Sequence, residues 1–333
     1  AMTETAALSH YVLPARSGFE SWDSAFFAWT YPGVFFQMRR PIIKTDGEAL
    51  EAGEIHLRLA DRLGLIPPIP DTLYAAAEKS HATFGKALMA YAATEPRAIS
   101  MMPFILGKTL GKTLRSVHLA ALWGILQTAP ESFHEAAIRE GFQAGLGLGE
   151  EMFQKILSHP EGIWIGRLDS KNNLSQLKTG DAKIHLHIPE LEEPVRTLDA
   201  AREEVALVRD PAFPLILMAG RHTSMNANTL MRDPAWNTGK KACTLAMHPL
   251  DAEALQLTDG QRVKVTTEAG SEMIELEISH GAYRGHVVIP HGFGLVYNGK
   301  KFGVNVNRLT KNTHRDHLGT PMHRYVPCRV EAV

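Results

Sequence analysis

Hydrophobic residues follow two different patterns along this chain. Between residues 71 and 157 they recur at helical spacing, and prolines and glycines divide the stretch into several helices. After Pro211 short β-type runs separated by turn residues replace that pattern, which predicts an α+β fold with a helical region followed by a six-stranded domain. The predicted strands lie at 214–219, 243–247, 261–267, 272–278, 285–290 and 325–331.

Six strands with one short helix, His248 to Leu257, predict a closed barrel rather than an open sheet. The clearest strand pair is a hairpin that turns at residues 268–271. Its expected register places apolar residues together on one face and opposite charges together on the other. The predicted cross-strand pairs are Val263 with Leu276, Val265 with Ile274, Lys264 with Glu275 and Arg262 with Glu277.

The chain before the helical region shows less regular patterning. Residues 8–47 are rich in aromatic side chains and are expected to be irregular. A helix is expected from Gly47, with an apolar stripe at Ile55, Leu59 and Leu63. The pattern after the helical region predicts a connecting segment with β runs at 163–166 and 184–188 and a helix over 190–205.

Composition excludes several classes of function. A formal net charge of -1 leaves no basic field for a nucleic-acid backbone. Cys243 and Cys328 form no CxxC pair, so the chain alone builds neither a zinc ribbon nor a cysteine-ligated iron–sulfur cluster. The most apolar stretch, Ile99 to Leu106, is too short to span a bilayer. With no signal-peptide pattern and no disulfide framework, we expect a cytoplasmic location without a membrane segment.

Sixteen histidines raise the question of a metal site. His185 and His187 share one face of a predicted strand, and His314, His317 and His323 lie in one loop. Neither group has a carboxylate or cysteine at a familiar metal spacing, so we interpret both as surface histidines and assign no metal ligand. A histidine-based metallohydrolase remains an alternative that metal analysis would test.

The segment Gly107-Lys-Thr-Leu-Gly111-Lys-Thr113 resembles a phosphate-binding loop only in part. The motif requires a glycine five residues before Gly111, where Leu106 stands, and a preceding strand that is not predicted. We therefore interpret the segment as a helix surface.

Two polar segments directly follow predicted strands. The first, 220–228, combines a flexible glycine, an arginine, an imidazole, hydroxyls and amides, which suits an anionic, multi-ring ligand. The second comprises residues 291–294 and 305–310, where glycines let the backbone approach a ligand and Asn307 and Thr310 can bond to a heterocycle. For both segments an ordinary surface loop is the alternative.

Several stretches, in this order, resemble the dimethyl-sulfoxide-reductase family of molybdopterin oxidoreductases. Near the N-terminus these are TETAALSHYVLPARSGFE and GEALEAGEIHLRLADRLG; in the barrel region they are ILMAGRHTSMNANT, CTLAMHPLDAEALQLTDGQRVKVTTEAGSEMIELEI, GHVVIPHGFG, NVNRLT and YVPCRVE. The resemblance covers residues 3–66 and about 210–331. It implies a tail of the family's third domain at 3–70, a helical region at 71–160, a connecting segment at 161–211, and a dinucleotide-binding double-psi β-barrel at 212–333.

The resemblance also implies cofactor contacts. Residues in the first polar segment would line the pterin dithiolene and phosphate, and residues in the second would make later contacts. Glu20 matches the acidic residue after the LPA motif, whereas Ser9 departs from an aspartate that is frequent in the family. The implied cofactor-binding residues are Gly220, Arg221, His222, Ser224, Asn226, Asn228, His291, Gly292, Asn307, Thr310 and Glu20.

The family's iron–sulfur cysteines and its metal-ligating residue have no counterpart here, so no catalytic residue is assigned. The resemblance therefore implies the cofactor-binding C-terminal part of a molybdenum or tungsten bis-(molybdopterin guanine dinucleotide) oxidoreductase. We expect it to be inactive alone and not to retain cofactor without its missing N-terminal domains, supplied in the same chain or as a separate polypeptide. The alternative is a non-enzymatic adaptor module that reuses the barrel.

Overall fold

The computed structural model describes residues 2–27, 30–206, 210–220, 233, 235, 243–316 and 318–333. The chain divides into two compact units. The helical unit is Val12–Leu186, and the barrel unit combines Ala1–Tyr11 with His187–Val333. Within the described residues no helix has both the length and the hydropathy needed to cross a membrane.

The helices, in chain order, are α1 (Glu4–Ala7), α2 (Ala52–Arg62), α3 (Asp71–Lys79), α4 (His81–Thr94), α5 (Met102–Lys108), α6 (Leu110–Leu114), α7 (Val117–Gln127), α8 (Glu131–Arg139), α9 (Leu148–Ser158), α10 (Ser170–Ser175), α11 (Pro189–Arg196), α12 (Ala200–Ala206) and α13 (Pro249–Ala254). The strands are β1 (Asp23–Phe27), β2 (Gly33–Arg39), β3 (Ile163–Arg167), β4 (Leu215–Gly220), β5 (Thr244–Met247), β6 (Arg262–Thr267), β7 (Gly270–Ile278), β8 (His286–Pro290), β9 (Val296–Tyr297), β10 (Lys300–Lys301) and β11 (Val326–Ala332).

The helical unit packs helices against a small antiparallel sheet of order β1-β2-β3. Phe36 and Met38 alternate along β2 and are buried in the same core as the apolar faces of the helices. The expectation that residues 8–47 are irregular is wrong, because β1 and β2 lie within them. Alternating aromatic and polar residues in β2 are the period-two signal that was overlooked.

Helix α2 buries a different face from the predicted one. Leu57 and Ala60 are buried, whereas Leu59 is 48% and Leu63 is 71% exposed. A contact remote in sequence accompanies this orientation: the buried Glu51 carboxylate accepts hydrogen bonds from the Ser116 hydroxyl (2.9 Å) and the Val117 amide (3.0 Å). Because both donors lie at the start of α7, the helix orientation depends on tertiary contacts that local spacing does not contain.

The connecting segment is less regular than its pattern predicts. Residues 184–188 are not a strand, and the helix expected over 190–205 is divided into α11 and α12. The division follows from Asp199, whose carboxylate accepts the Arg202 amide (2.9 Å) at the start of α12. The lysine- and glycine-rich segment at 107–113 is helical, as predicted, in α5 and α6.

Six strands of the described chain close into a barrel of order β11-β4-β8-β5-β7-β6, which confirms the α+β fold. The β4–β8 and β5–β7 pairs are parallel, and the other neighbours are antiparallel. Strand β6 alternates buried valines with exposed charged residues, as expected for a sheet with one face inside. The double-psi connectivity stays a prediction.

The β6–β7 register differs from the predicted one by two residues. Arg262 pairs with Glu275 and Val263 with Ile274, because the strands turn over only Glu268 and Ala269. A two-residue shift preserves alternation, so the predicted apolar residues still face the core.

Helix α13 begins after His248, as predicted, but ends at Ala254 rather than at Leu257. The chain adopts a left-handed conformation at Gln256 (φ 56°) immediately beyond it.

The short hairpin β9–β10 was not predicted from the sequence. It turns at Asn298 and Gly299, which both have positive φ (49° and 72°). Asn-Gly is the preferred pair for such a turn, so the signal was present in the sequence.

Candidate ligand-binding cleft

The two polar segments predicted to bind a ligand begin at adjacent strand ends. Strands β4 and β8 run parallel, and Gly220 at the end of one pairs with Pro290 at the end of the other. The His291 amide donates to the Gly220 carbonyl (3.0 Å). Both segments therefore leave the barrel at the same edge.

A cleft of ≈ 640 Å³ opens at this edge, within the barrel unit. Three residues predicted from the sequence line it: His291, Gly292 and Asn307. The other lining residues are Thr3, Glu4, Thr5, Ala219, Phe293, Leu295, Asn305, Val306, His323 and Arg324. This volume lies in the range of small-molecule sites, roughly 300–1,000 Å³.

The loop from His291 to Leu295 depends on two glycines. Gly292 (φ 97°) and Gly294 (φ 72°) adopt conformations that other residues rarely take. The Gly294 amide donates to the Phe302 carbonyl (2.8 Å), and a Cβ on Gly294 would lie 2.0 Å from the Asn305 amide nitrogen. Only glycine therefore allows this loop to approach the 305–310 segment so closely.

Asn307 is presented to the cleft by a short 3-10 helix, Val306–Leu309. Val306 and Leu309 are buried in the barrel core, and the Asn305 side-chain oxygen accepts the Asn307 amide (3.1 Å). These anchors leave the Asn307 side chain exposed. Thr310 is not among the lining residues; its hydroxyl donates to the Asn307 carbonyl (3.1 Å) and so supports the turn.

His323 and Arg324 form a wall of the cleft that the sequence analysis did not assign to it. The His323 carbonyl accepts the Ala219 amide (3.0 Å), which ties this segment to the end of β4. The available signal was a basic pair directly before the last predicted strand. His323 was considered with His314 and His317 as a metal cluster; His317 lies outside the described residues, and no group of three metal-ligating side chains occurs among those described.

The remaining predicted residues lie elsewhere. Arg221, His222, Ser224, Asn226 and Asn228 fall outside the described residues.

Glu20 belongs to the helical unit, where its carboxylate accepts hydrogen bonds from the Ser17 amide (2.9 Å) and hydroxyl (2.8 Å). The Ser17 backbone bond, followed by the hydroxyl bond, lowers the pKa of this carboxyl.

The pairs His185–Asp181 (2.9 Å) and His187–Glu192 (3.3 Å) lie in exposed segments. Because residues 184–188 are not a strand, the expectation that both imidazoles share a strand face is wrong.

Cys243 lies directly before β5, beyond the cleft-lining residues, and not on a strand as the sequence analysis assumed. The Val304 amide donates to its sulfur (3.3 Å). Burial raises the pKa of the thiol to about 11, and this effect outweighs the Val304 bond and the nearby Lys301 charge. Cys243 is therefore a neutral, poorly nucleophilic side chain at physiological pH.

The raised thiol pKa predicts a loss of stability at alkaline pH. Below pH 9 the thiol is protonated in the folded and unfolded chain, whereas between pH 9 and about 11 only the folded chain keeps the proton. The free energy of unfolding should fall through this window by about 2 kcal/mol. Urea unfolding of the wild type and of Cys243→Ala measures this; a constant difference between them from pH 8 to pH 11 would contradict the prediction.

The cleft is rich in groups that suit a polar, anionic ligand. Arg324 and the imidazoles of His291 and His323 supply donors, and the amides of Asn305 and Asn307 both donate and accept. The close approach at Gly294 leaves room that any side chain would fill. Donors and shape together fit the edge of a heterocycle and a phosphate group.

Comparisons with known proteins agree with this interpretation. Residues 215–327 match the Molydopterin dinucleotide binding domain family. One tetrathionate reductase polypeptide, from Salmonella typhimurium, is 29% identical over 82 residues, which cover 25% of this chain and 8% of that protein. Acetylene hydratase from Pelobacter acetylenicus superposes over 100% of this chain and 39% of its own, with a TM-score of 0.59 and 18% identity, which shows a shared fold.

The family match spans all six barrel strands except the last residues of β11 and includes the described lining residues from Ala219 to Arg324. This chain spans well under half of either protein named above. The resemblance to the dimethyl-sulfoxide-reductase family of molybdopterin oxidoreductases is thereby confirmed for the barrel: residues 215–327 form a molybdopterin dinucleotide-binding domain.

Proposed function

We propose that this chain is the cofactor-binding C-terminal part of a molybdenum or tungsten oxidoreductase that uses bis-(molybdopterin guanine dinucleotide). The observation that carries the proposal is the cleft at the ends of β4 and β8, where a family-matched domain brings His291, Gly292 and Asn307 together. The bound cofactor would supply oxygen-atom or hydride-equivalent transfer at its metal. The chain's own residues would bind and orient it.

The roles of the site residues follow from their chemistry. His291, Asn307 and Arg324 would donate hydrogen bonds to pterin edges and phosphate oxygens, and Gly292 would let the backbone approach the ligand. Thr310 would act by holding the Asn307 turn. We extend the proposal to Gly220 at the end of β4 and, from the resemblance, to Arg221, His222, Ser224, Asn226 and Asn228 in the segment that follows it. Glu20, in the helical unit, would contribute through the same resemblance.

The proposal includes partners and organisation. Residues 3–70 would complete the family's third domain, 71–160 would form an added helical region, 161–211 would connect it, and 212–333 would be the cofactor domain. The iron–sulfur cluster and metal ligand would come from N-terminal domains in the same polypeptide or in a separate one. Without those domains, the chain would be inactive and would not retain the complete cofactor. We place the enzyme in the cytoplasm.

Complementation tests the proposal. The chain is produced alone and together with the remaining domains of its parent enzyme, and each purified sample is analysed for molybdenum, tungsten and guanine nucleotide. We expect near-stoichiometric metal and guanine in the complemented sample and neither in the chain alone. A folded, complemented sample without metal or guanine would overturn the proposal and favour the adaptor alternative.

A further inference from the structure

The N-terminal segment of the chain forms part of the cleft. Ala1–Tyr11 belong to the barrel unit, although the residues that follow belong to the helical unit. Thr3, Glu4 and Thr5 line the cleft together with His291 and Asn307. The Glu4 carboxylate accepts the Val296 amide (2.8 Å), a contact between residues 292 positions apart.

The Glu4 contact is one of several that hold the loop between β8 and β9. The loop begins at His291, whose amide bonds to Gly220, and its middle is held by the bond from the Gly294 amide to Phe302. Its far end is held by the bond from the Val296 amide to Glu4. Glu4 therefore positions the loop that carries His291 and Gly292.

Glu4 is also the one acidic side chain among the described residues that line the cleft. Arg324 is cationic, and His291 and His323 become cationic when protonated. A carboxylate in such a cleft offsets part of the positive potential that an anionic ligand meets. At separations of several ångströms near a protein surface, removing one negative charge changes the affinity for a doubly charged ligand by roughly three- to tenfold.

We propose that Glu4 is a specificity-determining residue of this cleft: it positions the 291–296 loop through the Val296 amide, and its charge weakens binding in proportion to the negative charge of the ligand. The inference rests on the proposed function, because it concerns the same cleft. It adds a residue that belongs to none of the contacts implied by the family resemblance.

The test uses the full chain and two ligands that differ only in charge, guanosine and guanosine 5′-diphosphate. Binding is measured by NMR titration for the wild type, Glu4→Gln and Glu4→Ala. Glutamine keeps an oxygen acceptor for the Val296 amide and removes only the charge, whereas alanine removes both. The matched control is Glu253→Gln, an equal charge change at an exposed position of α13 in the same unit.

We expect Glu4→Gln to strengthen diphosphate binding about three- to tenfold, to leave guanosine binding unchanged, and to lose most of this gain in 0.5 M salt because exposed charges are then screened. Glu4→Ala should bind the diphosphate more weakly than Glu4→Gln does. Hydrogen exchange of the Val296 amide in ligand-free protein should accelerate severalfold in Glu4→Ala and remain near the wild-type rate in Glu4→Gln.

Three results would overturn the inference. These are unchanged or weaker diphosphate binding by Glu4→Gln, an equal gain for guanosine, which would indicate a purely structural role, and unchanged Val296 exchange in Glu4→Ala. If the wild type binds the diphosphate but Glu4→Gln has no effect, this inference alone fails. If no variant binds it, the proposed function fails as well.

Discussion

Gly294→Ala is expected to lower the free energy of unfolding by about 3–5 kcal/mol and to distort the cleft. The residue has a positive φ of 72°, which disfavours any side chain. A Cβ there would also lie 2.0 Å from the Asn305 nitrogen and 2.4 Å from the Val304 carbonyl carbon. Because both neighbours are backbone atoms, the clash cannot be relieved by a side-chain rotation.

Urea unfolding measures this cost, and Gly299→Ala provides a matched control. Gly299 has the same φ of 72°, but nothing lies within 4 Å of the position of its Cβ. Its substitution should cost only the backbone strain, about 1 kcal/mol. Equal costs at the two glycines would show that the close approach of the 291–295 loop to Asn305 does not exist in solution.

The double variant His291→Ala/Asn307→Ala is expected to lower the affinity for guanosine 5′-diphosphate about 30- to 100-fold. Each substitution removes a side-chain hydrogen-bond donor from the same cleft, and a bond to a charged group contributes about 1.5–3 kcal/mol before losses to water. Both side chains are mounted on turns fixed by backbone hydrogen bonds, so their removal should leave the barrel stability nearly unchanged.

NMR titration measures this affinity, and His280→Ala/Asn312→Ala is the control because it removes the same residue types at exposed positions outside the lining of the cleft. We expect the control to bind like the wild type. Equal affinities for the wild type and His291→Ala/Asn307→Ala would remove the cleft from the proposed cofactor site.

Local pattern was sufficient for most of the barrel. Strands β6 and β7 were found because alternation of apolar and charged residues is a property of neighbouring residues, which needs no knowledge of the fold. Their register was predicted two residues out of place because alternation is unchanged by such a shift. Turn length decided between the two registers.

Contacts between distant residues had a larger part in the helical unit. The stripe predicted for α2 was wrong, and the buried Glu51 carboxylate holds that end of the helix through Ser116 and Val117, more than 60 residues away. Helix periodicity identifies that a face is apolar, but several faces of a short helix can satisfy it. Packing against α7 selects among them.

The sequence by itself determined the α+β class, the six barrel strands and the loop residues His291, Gly292 and Asn307, because strand periodicity and turn chemistry are local properties. Only the tertiary structure decided that β4 and β8 are parallel neighbours, that His323 and Arg324 complete the cleft, and that Glu4 bonds to Val296. The physical reason is that these contacts join segments tens to hundreds of residues apart. Their formation depends on closure of the barrel, which no local pattern encodes.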